Sequence, residues 1–336
     1  MPGDTRRLHI VGLEEHFVTT DVLQAWHALS PADRDLALAP ASSGETGRLL
    51  LDLGAERLAV MDATGLDVAV LSLTTPGLHN LPKDTALGLQ TATNDLLADT
   101  VRGNPQRFQG LAALATAAPP AAAGELQRAV TELGLDGAML FGRTADCNLD
   151  DHAFWEIFEA AGALCAPLHL HPQSPPPAVR QAYYDGFPAD ISAGLATHGI
   201  GWHYDSGIQF LRLVLAGVFD RFPDLQVVIG HFGELVLFYL ERVQHVATLA
   251  HLPLTLQEYA RRNLYITPSG IPSQRYLRWA TEIIGVDRIL FATDYPFEHT
   301  SRAGARQFLE TADIPDTDRH AISHANWQHL RERIRR

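Results

Sequence analysis

The sequence predicts an α/β fold in which eight parallel strands alternate with helices and close into a (β/α)8 TIM barrel. Three observations predict it: eight short apolar runs, helical periodicity between them, and a length of 336 residues. Barrels of this kind commonly reach that length as one domain, so we expect residues 1–336 to form a single domain. An open doubly wound sheet is the alternative, but no GxGxxG motif follows the first run.

The apolar runs and the periodic segments alternate along the chain. The predicted strands are Leu8–Leu13, Val68–Leu73, Phe108–Ala113, Gly137–Phe141, Pro167–His171, Val227–Gly230, Leu264–Thr267 and Ile289–Ala292. The predicted helices are Glu56–Thr64, Thr85–Arg102, Ala121–Leu133, Asp151–Ala161, Ser206–Phe219, Leu235–Val246, Gln274–Ile284 and Arg302–Glu310. The tail, Ala321–Arg336, predicts a final amphipathic helix.

One connection, residues 173–203, is too long for an ordinary strand-to-helix loop. It is rich in proline, tyrosine, glycine and histidine, and it directly follows His171. We therefore expect a distorted barrel with a long loop insertion at the catalytic face, acting as a lid or substrate loop. The alternative is a surface excursion or an oligomer contact. Its aromatic residues are candidates to stack on a flat substrate: Tyr183, Tyr184, Phe187 and Trp202.

Composition excludes several classes of protein. A formal net charge of -13 argues against a nucleic-acid partner, which would favour a basic face. The two cysteines, Cys147 and Cys165, form neither a disulfide framework nor a CxxC metal pair. No run of 18 apolar residues occurs, and the first residues lack an apolar leader, so we expect a cytoplasmic protein without a membrane segment.

Ionisable side chains follow four of the predicted strands, in the strings EEHF, HPQ, GHFGE and ATDYPFE. The C-terminal ends of barrel strands converge on one mouth, so these side chains should meet there. Glu14 and His16 are two apart and share one strand face, where they can approach one divalent ion together with His171. For Glu14 and His16 alone, a buried polar pair is the alternative.

The other two strings suggest proton transfer. If a helix begins near Gly233, Glu234 can reach back to orient the imidazole of His231. Asp294 ends the eighth run and can ligate a metal, move protons or do both. His169 sits deeper and is expected to be a packed core histidine. Second-tier candidates lie in loops near the mouth: His79, His198 and His203.

Taken in order, six strings resemble a known family. They are LEEHF, RLAVMDATGLDVAVLSL, PLHLHP, FDRFPDLQVVIGHFGE, LYITPSG and DRILFATDYPFE. The chain resembles the amidohydrolase superfamily, in its branch of metal-dependent decarboxylases. That branch includes γ-resorcylate, 2,3-dihydroxybenzoate and 5-carboxyvanillate decarboxylases and, more distantly, aminocarboxymuconate-semialdehyde decarboxylase. The resemblance covers nearly the whole chain and implies one divalent metal, with zinc and manganese both suited to the ligands.

The resemblance also implies roles for individual residues. The metal-binding positions match Glu14, His16, His171 and Asp294. The catalytic positions match Asp294, His231 and Glu234. Substrate contacts are expected from Arg242, Gln173, Tyr295 and Phe297, with the arginine often contributed across a subunit interface. Many relatives have arginine in place of Gln173 and tryptophan in place of Tyr295.

The expected activity is non-oxidative decarboxylation of a hydroxylated aromatic acid by a homo-oligomer, either a dimer or a tetramer. Asp294 in its acid form would protonate the ring carbon that bears the carboxylate. The first alternative is a metal-dependent hydrolase of a lactone or amide, which would use the same residues. The second is a non-catalytic barrel that binds an aromatic ligand.

Overall fold

The computed structural model describes residues 7–298 and 304–336, and it contains most of the predicted strands. The strands are β1 (Val11–Phe17), β2 (Val68–Leu73), β3 (Phe108–Gly110), β4 (Ala112–Ala113), β5 (Ala138–Phe141), β6 (Arg143–Thr144), β7 (Cys147–Asn148), β8 (Leu168–His171), β9 (Val227–Ile229) and β10 (Leu264–Ile266). Strands β6 and β7 form a separate antiparallel hairpin, and the others pair in parallel.

The parallel strands form two ladders, β1-β2-β3 and β10-β9-β8-β5-β4. Strands β3 and β4 are one run interrupted at Leu111, whose N–H donates to Leu71 O at 2.9 Å. The eighth run makes only isolated bridges, from Ile289 to Ile266 on β10 and from Ala292 to Leu13 on β1. The α/β barrel is therefore confirmed, and its distortion lies at the eighth run, which is not a regular strand.

The first strand begins and ends later than the predicted Leu8–Leu13. Parallel pairing with β2 continues from Val11 to the Phe17–Leu73 pair, and the N–H of the next residue on the β2 side, Thr74, still donates to Phe17 O. The EEHF string therefore lies inside the end of β1 rather than after it.

Helices fill the outer layer. They are α1 (Thr20–Ala28), α2 (Leu38–Ala41), α3 (Gly44–Leu50), α4 (Ala55–Thr64), α5 (Lys83–Gly103), α6 (Pro119–Thr131), α7 (Trp155–Leu164), α8 (Pro177–Tyr183), α9 (Ala189–Gly194), α10 (Gly201–Leu215), α11 (Val218–Arg221), α12 (Val236–Leu249), α13 (Leu256–Asn263), α14 (Gln274–Ile284), α15 (Gly304–Glu310), α16 (Asp316–His320) and α17 (Asn326–Glu332). Single turns of 3-10 helix cover His152–Phe154 and Val286–Arg288, and π turns cover Leu195–Gly199 and Ala321–Ala325.

Two predicted helices differ from the observed ones in an informative way. The predicted Ser206–Phe219 helix is split into α10 and α11, because Gly217 adopts a left-handed conformation with φ 75°. The start of the predicted Arg302–Glu310 helix lies outside the described residues, and α15 covers the remainder.

The insertion at 173–203 is largely helical, which corrects the prediction of a loop. It contains α8, α9, the π turn and the start of α10. Tyr183 and Phe187 are exposed to solvent, whereas Tyr184 and Trp202 are buried. Its role as a lid stays a prediction.

Two apolar cores position the site. One lies inside the barrel and includes Val70, Met139 and Leu290; Trp327 and Leu330 of α17 belong to the same cluster. The larger core packs the outer faces of the strands against the helices. Among the described residues, no helix combines the length and apolarity needed to cross a bilayer.

Candidate active site

A β-bulge in β1 aims the first pair of candidate ligands. Gly12 pairs with Ala69 and Glu15 with Leu71, so two residues of β1 span an interval that one residue spans on β2. Glu14, in the bulge, has a left-handed φ of 56°. The extra residue breaks the alternation of the strand between Leu13 and Glu14, which both lie on the interior side of the barrel. After this break, Glu14 and His16 turn toward the barrel mouth and Glu15 turns toward the helices.

The mouth gathers four of the predicted residues, which we call the ligand set: Glu14, His16, His171 and Asp294. Their ligand atoms lie within 4.8 Å of one another. His16 Nε2 is 3.4 Å from Asp294 Oδ1, and the rings of His16 and His171 meet edge to face with centroids 4.7 Å apart. Glu14 and His16 are fully buried, whereas the Asp294 side chain is 14% exposed, so the set opens to the mouth on one side.

Glu14 has one oxygen held by the protein and one without a partner. Oε1 accepts from the Thr267 hydroxyl, and His169 Nε2 lies 3.4 Å from the same oxygen. Oε2 makes no hydrogen bond to any described residue. A Cβ atom at Gly230 would stand 2.7 Å from Oε2, so the glycine of the GHFGE string leaves the room that this carboxylate needs.

In the two imidazoles of the ligand set, one ring nitrogen likewise contacts the protein and the other is available to a ligand. His16 Nδ1 is 3.3 Å from Ser72 Oγ, and its Nε2 makes no hydrogen bond to the described residues. His171 Nδ1 lies 3.0 Å from Pro172 O, which can only accept, so this nitrogen carries the proton. In both rings, Nε2 is therefore the atom available to bind a metal. Histidines that bind metals commonly have their other ring nitrogen held by a neighbouring group in this way.

The electrostatics of the ligand set suit a divalent cation. Burial lowers the pKa of His16 to about 3 and that of His171 to about 3, so both rings are neutral and offer a lone pair. Burial raises the pKa of Asp294 to about 6, although His231 opposes this change. Burial also raises the pKa of Glu14, but His169 and other histidines outweigh it and hold that pKa well below its usual range. Two neutral imidazoles and two carboxylates fit zinc or manganese.

A left-handed turn carries the predicted histidine–carboxylate pair. Five consecutive residues have positive φ: His231 48°, Phe232 55°, Gly233 90°, Glu234 49° and Leu235 64°. The predicted Leu235–Val246 helix begins at Val236, so Glu234 lies in the turn before the helix and not within it. The pair still forms, with His231 Nδ1 2.6 Å from Glu234 Oε1. Four non-glycine residues in this conformation are costly, and such strain concentrates at functional sites.

Glu234 contacts a second imidazole as well. His203 Nδ1, on the first turn of α10, lies 2.7 Å from Glu234 Oε2. We call His203, His231 and Glu234 the triad. Burial lowers the pKa of His231, but the Glu234 carboxylate more than reverses this and raises it well above its ordinary value. The two imidazoles correspondingly lower the pKa of Glu234, against the effect of burial. His231 is therefore a proton-bearing group.

The aromatic residues of the last string lie on different sides of the barrel wall. The Phe297 ring stands 5.8 Å from the His16 ring, so it borders the ligand set, and substrate contact by Phe297 stays a prediction. Tyr295 instead lies under the Arg57 guanidinium, 4.7 Å away, and lines a cavity of about 100 Å³ between the strands and α4. This position does not support a substrate contact by Tyr295, which stays a prediction.

Gln173 and Arg242 do not reach the ligand set. Gln173 is buried, and with its amide oriented to satisfy both ends it bonds His79 Nε2 at 3.1 Å and Arg143 Nη2 at 2.7 Å. These contacts use both ends of the Gln173 amide within the protein. Arg242 is exposed on α12 and makes no hydrogen bond or ion pair with the described residues. Substrate contact by either residue stays a prediction.

Several residues at the site carried little signal in the sequence. Ser72 and Thr267 are polar positions at the ends of apolar runs, and that pattern could have indicated them. Arg57 is buried and donates through Nη2 to His16 O, which holds the end of β1 from the helical layer. His203 was only a second-tier candidate, and it lies on a helix rather than in a loop.

An α/β barrel that gathers two imidazoles and two carboxylates at the C-terminal ends of its strands defines the class of metal-dependent barrel enzymes. The amidohydrolase family model matches residues 54–326. The chain belongs to the amidohydrolase family.

Similar proteins cover almost the whole chain. The γ-resorcylate decarboxylase of Polaromonas sp. is 33% identical over 334 residues, 95% of this chain and 97% of the relative. The structure of 5-carboxyvanillate decarboxylase from Sphingomonas paucimobilis matches with a TM-score of 0.88 at 33% identity, covering 97% of this chain and 99% of its own. A dihydroxybenzoic acid decarboxylase from Polaromonas sp. JS666, with manganese and 2-nitroresorcinol bound, matches with a TM-score of 0.83 at 31% identity over 97% of each chain. The resemblance to metal-dependent aromatic-acid decarboxylases is confirmed.

Proposed function

We propose that this protein is a metal-dependent carboxy-lyase that removes CO2 from a hydroxylated aromatic acid. One observation carries the proposal. A ligand set suited to a divalent cation and a triad that bears protons lie at the same mouth of the barrel. The end-to-end similarity to decarboxylases of dihydroxybenzoates and 5-carboxyvanillate supports the substrate class.

The ligand set would hold one divalent ion through Glu14 Oε2, His16 Nε2, His171 Nε2 and an oxygen of Asp294. When bound, such an ion supplies a Lewis acid and a template for the carboxylate and the ortho hydroxyl of the substrate. Manganese, as in the similar Polaromonas enzyme, suits the two carboxylates, and zinc suits the two imidazoles. Ser72 and Thr267 hold the opposite atoms of His16 and Glu14 and so fix the orientation of both ligands.

Asp294 is placed to move the proton. In its acid form it would donate to the ring carbon that bears the carboxylate, and the ring would lose its aromaticity. Cleavage of the carbon–carbon bond then returns the electron pair to the ring and releases CO2, so one proton is consumed for each CO2. His231, oriented by Glu234, would donate a hydrogen bond to an oxygen of the substrate and stabilise its negative charge.

The experiment is a panel of hydroxybenzoates with and without an ortho hydroxyl, incubated with manganese-loaded protein in D2O. The proposal predicts CO2 release and one deuterium at the carbon that lost the carboxylate. Asp294→Asn should lower turnover by at least about 100-fold, because an amide cannot deliver the proton.

The alternative, a metal-dependent hydrolase, would use the same residues but form a different product. Turnover of lactones or amides with incorporation of solvent oxygen, and no CO2 from any acid of the panel, would replace the decarboxylase assignment. Turnover of Asp294→Asn within about tenfold of wild type, a barrier change of about 1.4 kcal/mol, would remove Asp294 from proton transfer.

The proposal includes a homo-oligomer. Exposed apolar side chains cluster on α10 and α12: Tyr204, Ile208, Phe238, Tyr239, Val246 and Leu249. Arg242 lies among them on α12, with no partner among the described residues, and a second copy could carry it to a neighbouring site. Sedimentation of wild type and Phe238→Glu tests this: the charge should shift the protein toward monomer, and a wild-type monomer would contradict it. A cytoplasmic location stays a prediction from the sequence.

A further inference from the structure

His203 has two hydrogen-bond partners, and both are acceptors. Its Nδ1 lies 2.7 Å from Glu234 Oε2 and its Nε2 lies 3.0 Å from His198 O. A backbone carbonyl can only accept, so Nε2 must carry a proton. Glu234 already receives a hydrogen bond from His231 Nδ1 on its other oxygen. If the carboxylate is ionised, His203 must also donate from Nδ1, and an imidazole that donates from both nitrogens is a cation.

The proton between His203 and Glu234 belongs on the imidazole. An unperturbed imidazole is more basic than a carboxyl group by about two pKa units. Glu234 is completely buried between two imidazoles, a setting that favours its ionised form over its neutral one. The contacts of the triad therefore suit one carboxylate between two imidazoles that both donate to it, and these rings meet with centroids 4.5 Å apart.

We propose that His203 is a positioning residue of this site: it shares Glu234 with His231, limits how tightly His231 holds its proton, and ties the Leu195–Gly199 turn to the triad. The proposal rests on the proposed function only for the role of His231 in turnover. The protonation of His203 follows from its contacts alone.

The close packing of α10 makes the shared carboxylate possible. A Cβ atom at Gly207 would stand 2.2 Å from Glu234 O, so this glycine lets α10 approach the left-handed turn. His203, one helical turn earlier on α10, is thereby brought to the free oxygen of Glu234. The His203 side chain is 16% exposed and that of His231 is 12% exposed, so both rings border the open mouth.

The charged and titratable groups around His203 come from four elements. Glu234 and His231 face it from the left-handed turn, and His198 faces it from the π turn. Asp294 interacts with it from the eighth run. On α10 itself, Tyr204 and Asp205 directly follow His203, and Asp205 is paired with Arg143.

A cation beside His231 weakens the hold of His231 on its own proton. Removing the charge of His203 should therefore move the alkaline limit of activity, at which His231 loses its proton, to higher pH by about one unit. His203→Asn is the sharpest variant, because its amide can still donate to Glu234 without carrying charge. His203→Ala removes the hydrogen bond too, and should also lower kcat several-fold by releasing Glu234.

The decisive measurement is nitrogen-15 NMR of the histidine rings in zinc-loaded protein, with His203 assigned by its loss in His203→Asn. We expect both ring nitrogens of His203 to be protonated at pH 7.5. A neutral ring, with one unprotonated nitrogen, would overturn the proposal whatever reaction the protein catalyses.

The second measurement is the pH profile of kcat for wild type, His203→Asn and His198→Gln, with metal content measured in parallel. His198→Gln is the matched control, because the hydrogen bond to His203 comes from the backbone carbonyl of His198, which this substitution keeps. We expect the alkaline limb to move upward in His203→Asn alone, at unchanged metal content. An unmoved limb in that variant, or a loss of metal from it, would overturn the assigned role.

Discussion

The ligand set and the triad both place buried carboxylates among imidazoles, but their polar atoms are satisfied in different ways. In the ligand set, Glu14 and His16 each have one atom hydrogen-bonded to the protein and one atom that makes no hydrogen bond to the described residues. In the triad, both oxygens of Glu234 are bonded to imidazoles of the protein. The first arrangement offers atoms to a cation, and the second neutralises its own carboxylate and holds protons. The same residue types thus support two chemical roles.

Removing a ligand should have the largest effect. His171→Ala deletes one of the converging atoms, so we expect it to lose most of its metal and its activity together. Metal analysis of the purified variant measures this. His245→Ala, an exposed histidine on α12, is the control and should keep both. Retention of about one metal per chain in His171→Ala would break the comparison, because the ligand set would then not be the metal site.

Removing a side chain that hydrogen-bonds a metal ligand should have a smaller effect on metal binding. Ser72→Ala removes the hydrogen-bond partner of His16 Nδ1, and we expect metal affinity to fall by about 10- to 100-fold. Competition with a chelator measures the affinity. Ser206→Ala, at a buried serine whose hydroxyl has no partner among the described residues, is the control. Equal affinities in the two variants would show that Ser72 does not orient His16.

Substitution of Glu15, which lies between Glu14 and His16 in the sequence, should leave the metal content unchanged. Glu15 faces the helices, where burial raises its pKa to about 8 although Thr293 opposes this, so it is neutral near pH 7. Because its pKa is raised on folding, its contribution to stability is full below about pH 4.5 and is lost as pH rises through 8. Glu15→Gln should keep the metal and flatten the fall in stability over this range. Denaturant unfolding at several pH values measures the slope, and an unchanged slope would contradict the burial of Glu15.

The sequence predicted the ligand set better than the triad, and the reason is physical. Side chains at the C-terminal ends of barrel strands must converge, so Glu14, His171 and Asp294 could be grouped from three short strings. The bulge at Glu14 depends on pairing with β2, which no local pattern reveals. The left-handed turn at His231 contradicts the local preference of its residues, because tertiary contacts impose it.

Long-range packing explains the remaining differences. His203 reaches Glu234 only because α10 packs against the turn at Gly207, which a sequence pattern cannot show. Tyr295 directly follows Asp294, yet the structure places its ring under Arg57, on the helical side of the barrel wall. Adjacent residues in an irregular turn have no fixed alternation, so their directions could not be derived from the sequence.

The central claim is that the ligand set binds the metal while the triad acts in turnover. Glu234→Gln tests it most directly, with metal content and kcat measured on the same preparation. The variant removes the carboxylate charge of the triad and leaves every atom of the ligand set in place. We predict about one metal per chain, as in wild type, and a kcat lowered by about 10- to 100-fold. Metal content and kcat that fall together by the same factor would contradict the account and make Glu234 a ligand or a structural residue.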